Sequence, residues 1–438
     1  MTEHYLLESI LDEGIREPVF TNGSLLTAED LGDGLTANRQ RHGQLGKALG
    51  TGIVHGLEVA RLAPGGDGDP PALSITRGLA VDRNGQMLSL SVDLPKLTLS
   101  LEPSPAPPAA SLFEPCATPP AAVTPQARGA YLLVVSPGSG YRDQRPVRGL
   151  DTGKVVGCGS RYAVEGVVFR LEEMPVEKLT TLSPDTRAAL TTLMDSNDQA
   201  SLSKLRNWLA HVCFGTEERM RALRDPATAN DAEFGAVAAM RGGETPQLND
   251  CDVPLALLFW SGTHLGFVDM WAVRRPSLAF DGGLPGGPIL LQFRQQIADL
   301  TNVASLQSGP EHIEARSHFR YLPAVGGIPL AGTPGTRGFD ISRFFSAMTV
   351  RGPVFMEGRT LRPFLRMSLA LDPIDVNSAE MLWLYLVREN RQGSPTTPPP
   401  VPYLVFAHGR APTQGDARMD LSYWDFSNYS NSNALHGG

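Results

Sequence analysis

At 438 residues, 42% hydrophobic and 19% charged, the chain is long enough for two or three domains and apolar enough to bury real cores, which excludes a disordered polymer. Its formal net charge of −8, with no run of Lys or Arg long enough to track a phosphate backbone, argues against nucleic acid as a partner. It has no stretch of ~18 apolar residues and no charged-then-apolar start, so neither a membrane span nor a secretory signal is expected, and synthesis and folding in the cytoplasm is the default.

The first element in chain order is a helix. Thr27 stands where an N-cap belongs, and Asp30 completes an approximate capping box worth ~1 kcal/mol. Leu31, Leu35, Asn38, His42, Leu45 and Leu49 then recur at steps of four and three, one face of a helix that Gly50 ends. Gly32, Gly34, Gly43 and Gly46 each cost up to ~1 kcal/mol inside a helix, so packing against something else has to hold it. Strand candidates follow at residues 52–62 and 72–92. In the second, Asn84-Gly85 sits between two alternating runs, a strong hairpin signal. Residues 1–102 thus read as a docking module of helix plus β-hairpin.

Eight prolines in the 23 residues 103–125 mark an extended spacer, residues 103–127, and a domain boundary. A central α+β domain, residues 128–280, opens with a buried-strand run at 130–138 and a second strand at 161–174. Helices are expected from Ser183-Pro184-Asp185 and over 197–215, a polar loop over 226–249, and a hairpin of apolar strands around Ser261-Gly262. A C-terminal α+β domain, residues 281–438, holds a helix at 289–306, strands at 348–356, 379–390 and 402–410, and an aromatic, then polar tail. The fold class is therefore α+β and multidomain, with several small antiparallel sheets and interspersed helices. Glycine (45) and proline (36), together about a fifth of the chain, fit its many turns.

Motifs that carry chemistry are few. There is no G-x-S-x-G elbow and no phosphate-binding G-x-x-x-x-G-K-[ST] loop; residues 151–157, "DTGKVVG", lack the first glycine and the hydroxyl. Glu172 and Glu173 occupy adjacent strand positions and so face opposite ways, which is wrong for a shared acid–base role. Cys116, Cys158, Cys213 and Cys251 form no CxxC pair, and His211 and Cys213 point to different helix faces. No zinc site or other cofactor is expected, and four reduced thiols are. His42 and His55 are close enough in sequence for helix and strand to bring them together as packing or interface residues. The triplet Phe319, Arg320, Tyr321 and the tail residues Tyr423, Trp424, Phe426 and Tyr429 have a composition enriched at interfaces, equally compatible with core or with carbohydrate stacking.

Taken together, "NGSLLTAEDL", "HGLEV…RGLAVDRNGQMLSL", "DVPLALLFW…VDMWAVRRP" and "FRYLPAVGGIPL" resemble an uncharacterised family encoded beside phage-tail-like contractile injection systems. The matching positions include Gly23, Leu25, Leu26, Thr27, Asp30, Leu31, Gly52, Gly56, Leu57, Val59, Gly78, Ala80, Val81, Asp82 and Gly85. The chain departs from the pattern in its glycine-rich helix, which reads "GQLGKALG". The resemblance implies a structural role, as a baseplate-associated or decorating component whose partners are other subunits of the particle in a homo- or hetero-oligomer. It implies no catalytic residues. Candidate protein-interface residues are Leu25, Leu26, Asp30, Leu31, His42, His55 and Asp82, together with Phe319, Arg320, Tyr321, Tyr423, Trp424 and Phe426. Two other readings stay open: a surface-recognition module for glycan or protein, such as a fibre-like component, and a hydrolase whose site is assembled from distant residues.

Overall fold

The structure, a computed structural model, describes residues 15–20, 22, 26–63, 70–99, 127–148, 155–224, 234–242, 246–276, 286–302, 309–331, 337–357, 366, 368–388 and 403–408. The first helix, α1 (Ala28–Leu49), starts and stops where local chemistry requires. Thr27 N–H donates to Asp30 Oδ2 at 2.9 Å, while Asp30 N–H donates to Thr27 Oγ1 at 3.1 Å. The shorter aspartate thus closes the reciprocal box that usually takes glutamate. At the other end Gly50, at φ 78°, turns its N–H back to the Lys47 carbonyl.

Six short strands follow: β1 (Gly52–Gly56), β2 (Val59–Arg61), β3 (Ala72–Ile75), β4 (Gly78–Val81), β5 (Met87–Leu90) and β6 (Leu94–Thr98). They make two antiparallel sheets, β1-β4-β5 and β2-β3-β6. The apolar runs at 52–62 and 72–92 are each broken, because the ladder changes sheet at one level. Gly56 pairs with Gly78, Val59 with Ile75, and between them Gly56 and Leu57 take φ near +60° and 55°. A Cβ on Gly56 would lie 1.9 Å from the Arg77 carbonyl oxygen, so only glycine allows this corner. The hairpin expected at Asn84-Gly85 is present, with Val81 opposite Met87 and Gly85 at φ 83°.

The central sheet is built from β7 (Gly129–Arg148), β8 (Val155–Glu173), β9 (Val253–Trp260) and β10 (Leu265–Asp269), antiparallel in the order β10-β9-β7-β8. Both of its faces are covered. On β7, Ala130, Leu132 and Val134 enter one core with α2 (Pro184–Asp195), α3 (Gln199–Phe214) and α5 (Ala236–Arg241); α4 (Thr216–Arg224) follows α3. Tyr131, Leu133 and Val135 enter a second core with Ile53, Leu57, Leu73, Ile75 and Leu88 of the N-terminal strands. Burial on both sides explains why the run is continuously apolar instead of alternating. The α5 helix replaces part of the polar loop expected at 226–249, because Ala236 and Met240 reach the first core. Strand β7 is also far longer than its apolar run. Beyond Val135, where pairing with β9 ends, β7 and β8 continue alone as a two-stranded ribbon.

The remaining elements are α6 (Gly286–Asn302), α7 (Ala315–His318), β11 (Tyr321–Leu322), β12 (Val325–Pro329), α8 (Ile341–Phe344), β13 (Thr349–Glu357), β14 (Ile374–Asp375), β15 (Met381–Arg388) and β16 (Tyr403–His408). The larger sheet runs β12-β16-β15-β13, and its β13–β15 ladder is parallel, the exception to the antiparallel pattern. Phe293, Phe319, Phe339, Phe344, Phe345 and Phe406 form an aromatic core beneath it. Ile289 and Tyr321 belong to the core under β7, so the C-terminal segment is packed into the central one. The fold is α+β and multidomain.

Candidate assembly surface

The α1 helix is seated on the body by its glycines. A Cβ added to Gly46 would fall 1.9 Å from the Gly85 carbonyl oxygen, and one added to Gly85 would fall 1.9 Å from the Gly43 carbonyl oxygen. Helix backbone and hairpin turn are in direct contact, and Ala37 and Gly46 are the buried residues of α1. The turn is held open for this contact by Asp82, which is buried: its Oδ1 accepts Gln86 N–H at 2.8 Å and its carbonyl accepts Gly85 N–H at 3.1 Å. Arg83 N–H donates to the Asp250 carbonyl at 3.0 Å, and Asn84 Nδ2 reaches Cys251 Sγ at 3.3 Å, joining the turn to the loop before β9. Cys251 is disulfide-bonded, which corrects the expectation of four reduced thiols; Cys158 and Cys213 are free. Sequence spacing says nothing about which cysteines the fold brings together.

The leucines of the expected stripe are left largely in water. Leu26, Leu31, Leu35 and Leu45 are 55%, 52%, 58% and 63% exposed, and Asn38 and His42 between them are exposed as well. Val19 and Phe20, just upstream, are exposed too. Full burial of one such side chain contributes ~1.5–3 kcal/mol, so half-covering four of them would contribute several. Asp30 acts as a cap: the Thr27 hydroxyl and then its backbone N–H hold the carboxyl below the usual carboxylate range. His55 is exposed on β1. Leu25, Tyr423, Trp424 and Phe426 lie outside the described residues.

Phe319, Arg320 and Tyr321 lie at an interface within the chain. Phe319 is fully buried against Phe293, with ring centroids 5.5 Å apart. The Arg320 guanidinium lies 5.3 Å from the Trp208 ring centroid and 5.0 Å from that of Tyr321, and pairs with Asp375. Tyr321 packs 4.7 Å from the His211 ring, and burial pushes its hydroxyl pKa up. His211 is itself lowered to about 3 by burial, with Arg219 and Arg320 adding to the effect. It is neutral at working pH and bonded through Nδ1 to the Thr216 hydroxyl at 2.8 Å. Both residues are 2% exposed, so this histidine–hydroxyl pair presents no nucleophile at the surface.

Two buried polar networks carry no local sequence signature. Asn207 Oδ1 accepts the N–H groups of Arg320 at 2.8 Å and Tyr321 at 2.9 Å. Beside it Arg206 donates to Asp269 and Asp299, both at 2.7 Å, and Gln292 Nε2 donates to Asp269 at 3.0 Å. Under the central sheet Arg170 donates to Glu172 at 2.6 Å and to Asp252 at 2.7 Å. Glu172 is buried and Glu173 exposed, the opposed facing that the strand period dictates. Among the described residues no group of three His, Cys, Asp or Glu is placed to hold a metal ion, and no helix is long and apolar enough to cross a membrane.

No protein-family model matches the chain, and no curated protein does. Among solved structures, the crystal structure of TssK matches at 11% identity, covering 92% of this chain and 93% of that chain, with a TM-score of 0.20. TssK is thus a weak structural neighbour, and a superposition this loose carries no argument about fold or function.

Proposed function

We propose that the chain is a structural assembly protein of a phage-tail-like contractile injection particle, associated with its baseplate and linking or decorating other subunits. The observation that carries this reading is the outward leucine stripe of α1. A helix that grips its own hairpin through Gly43 and Gly46 and leaves Leu31, Leu35 and Leu45 in water has apolar side chains free for another protein. The motif resemblance of the N-terminal segment, Gly52–Gly56 included, supplies the kind of particle. On this reading the protein is not an enzyme and binds no nucleic acid. It is made in the cytoplasm and incorporated into a particle that is released or membrane-associated.

The test is a Leu31→Asp/Leu35→Asp chain expressed with the remaining particle subunits. Because both side chains are more than half exposed, its melting temperature should stay within a few degrees of the parent. The parent should sediment with the particle and the variant should stay at the top of the gradient. Equal sedimentation of a folded variant with the particle would refute the stripe as the docking face.

A further inference from the structure

The outer edge of β8 offers a second interaction surface. In the order β10-β9-β7-β8 this strand is terminal, and among the described residues no strand pairs with its free side. Residues 157–166 are exposed on both faces, Gly159 alone being half-buried, and Tyr141, Tyr162 and Val164 are 64%, 49% and 39% exposed. A two-stranded ribbon standing clear of its sheet is marginal in water, so its stability has to come from a further strand.

The ribbon's two edges differ. On β7 the edge is guarded: Pro137 and Pro146 lack N–H donors, and Asp143, at φ 56°, is skipped in a register that runs from Arg142↔Tyr162 to Gln144↔Ser160. Strand β8 has 19 residues, no proline and a constant register over residues 157–162 opposite Arg142 to Val147, the irregularity of the ladder falling between Val147 and Arg148. It is the edge left open to strand addition.

We propose that this edge pairs with the same edge of a second copy of the chain, antiparallel about a twofold axis at Ala163. The pattern Arg161-Tyr162-Ala163-Val164-Glu165 is self-complementary in that arrangement alone. About Ala163, Arg161 faces Glu165 of the second copy, Tyr162 faces its Val164, and the two small alanines meet on the axis. Each charged pair shares one sheet face and each apolar pair the other, as the two-residue period requires. Centring the axis one residue either way sets Arg161 opposite Ala163 or Val167 and leaves both charges unpaired. The edge contact is isologous, and it joins two central sheets into one of the order β10-β9-β7-β8-β8-β7-β9-β10. The Arg161–Glu165 pair, formed twice about the axis, is the charge complementarity that favours a second copy as occupant.

Sedimentation velocity of the intact protein tests this, independently of any particle. The parent should dimerise at micromolar concentration. Arg161→Glu and Glu165→Arg, which create like-charge pairs on both sides of the axis, should each weaken dimerisation roughly tenfold or more. The double variant, with the charges exchanged, should recover it. As a check on register, Ala163→Cys in a Cys158→Ser background should give a covalent dimer on mild oxidation, because directly opposed residues lie about 4.5–5.5 Å apart, within disulfide reach. Tyr141→Cys, on the other strand, should not. A monomeric parent, a double variant as weak as the singles, or equal cross-linking at 141 and 163 would each overturn the proposal.

Discussion

Replacing Gly46 with alanine should weaken the protein, against the usual gain from removing a helical glycine. In an exposed helix interior Gly→Ala stabilises by up to ~1 kcal/mol. At Gly46 the new methyl would sit 1.9 Å from the Gly85 carbonyl oxygen, 2.7 Å from its carbon and 2.8 Å from its Cα. These are backbone atoms of a turn fixed by Asp82 and Gln86, so no side chain can swing away, and the helix itself must lift. Overpacking of this kind costs ~1–3 kcal/mol, leaving a net loss of up to roughly 2 kcal/mol after the full propensity gain of ~1 kcal/mol. Gly32 is the internal control: a Cβ there meets nothing within 4 Å, so Gly32→Ala should stabilise α1 by up to ~1 kcal/mol. Amide hydrogen exchange over residues 28–50 and 78–90 reads this directly, since local opening of α1 need not register in global unfolding. Faster exchange in both segments for Gly46→Ala, and slower exchange in α1 for Gly32→Ala, is the expected pair. Equal protection from the two substitutions would refute the idea that the glycines seat the helix.

Asn207→Ala should destabilise by roughly 2–4 kcal/mol, because the N–H groups of Arg320 and Tyr321 would both lose their buried acceptor. A shift in denaturant midpoint worth less than ~0.5 kcal/mol would show that water or a neighbour replaces it. Glu172 is pushed up from 4.5 to about 7 by burial, against the pull of Arg170 and with help from Asp252. The folded state therefore holds a proton that the unfolded chain gives up, so this group's contribution to stability falls as pH rises from about 4.5 to about 7 and stays low above that. Glu172→Gln, which still offers Arg170 an acceptor, should flatten that part of the stability profile; an unchanged slope would count against the shift. Burial pushes the Cys213 thiol up to about 12, whereas Cys158 is exposed. A thiol reagent should label Cys158 in the native protein and Cys213 only after unfolding, and equal rates would contradict the burial.

What the sequence alone determined is what its nearest neighbours along the chain control. Thr27, Asp30 and Gly50 delimit α1, and Ser183, Asp198 and Gly215 do the same around α2 and α3, because a cap is a hydrogen bond closed within about four residues. The Asn84-Gly85 turn and the opposed facing of Glu172 and Glu173 follow from backbone geometry of equally short range. Tertiary structure alone decided which side of each element is inside. The leucines of α1 read as its packing residues, yet the contact belongs to Gly43 and Gly46, because the approach of a distant turn to within van der Waals range requires positions with no side chain. Phe319, Arg320 and Tyr321 have the composition of an outer interface, but Asn207 and Trp208, more than a hundred residues upstream, enclose them. The ribbon of β7 and β8 gave no apolar period to read, since residues 138–146 and 157–166 enter neither core. Short-range hydrogen bonding is written locally; burial is set by whichever residues the chain brings back from far away.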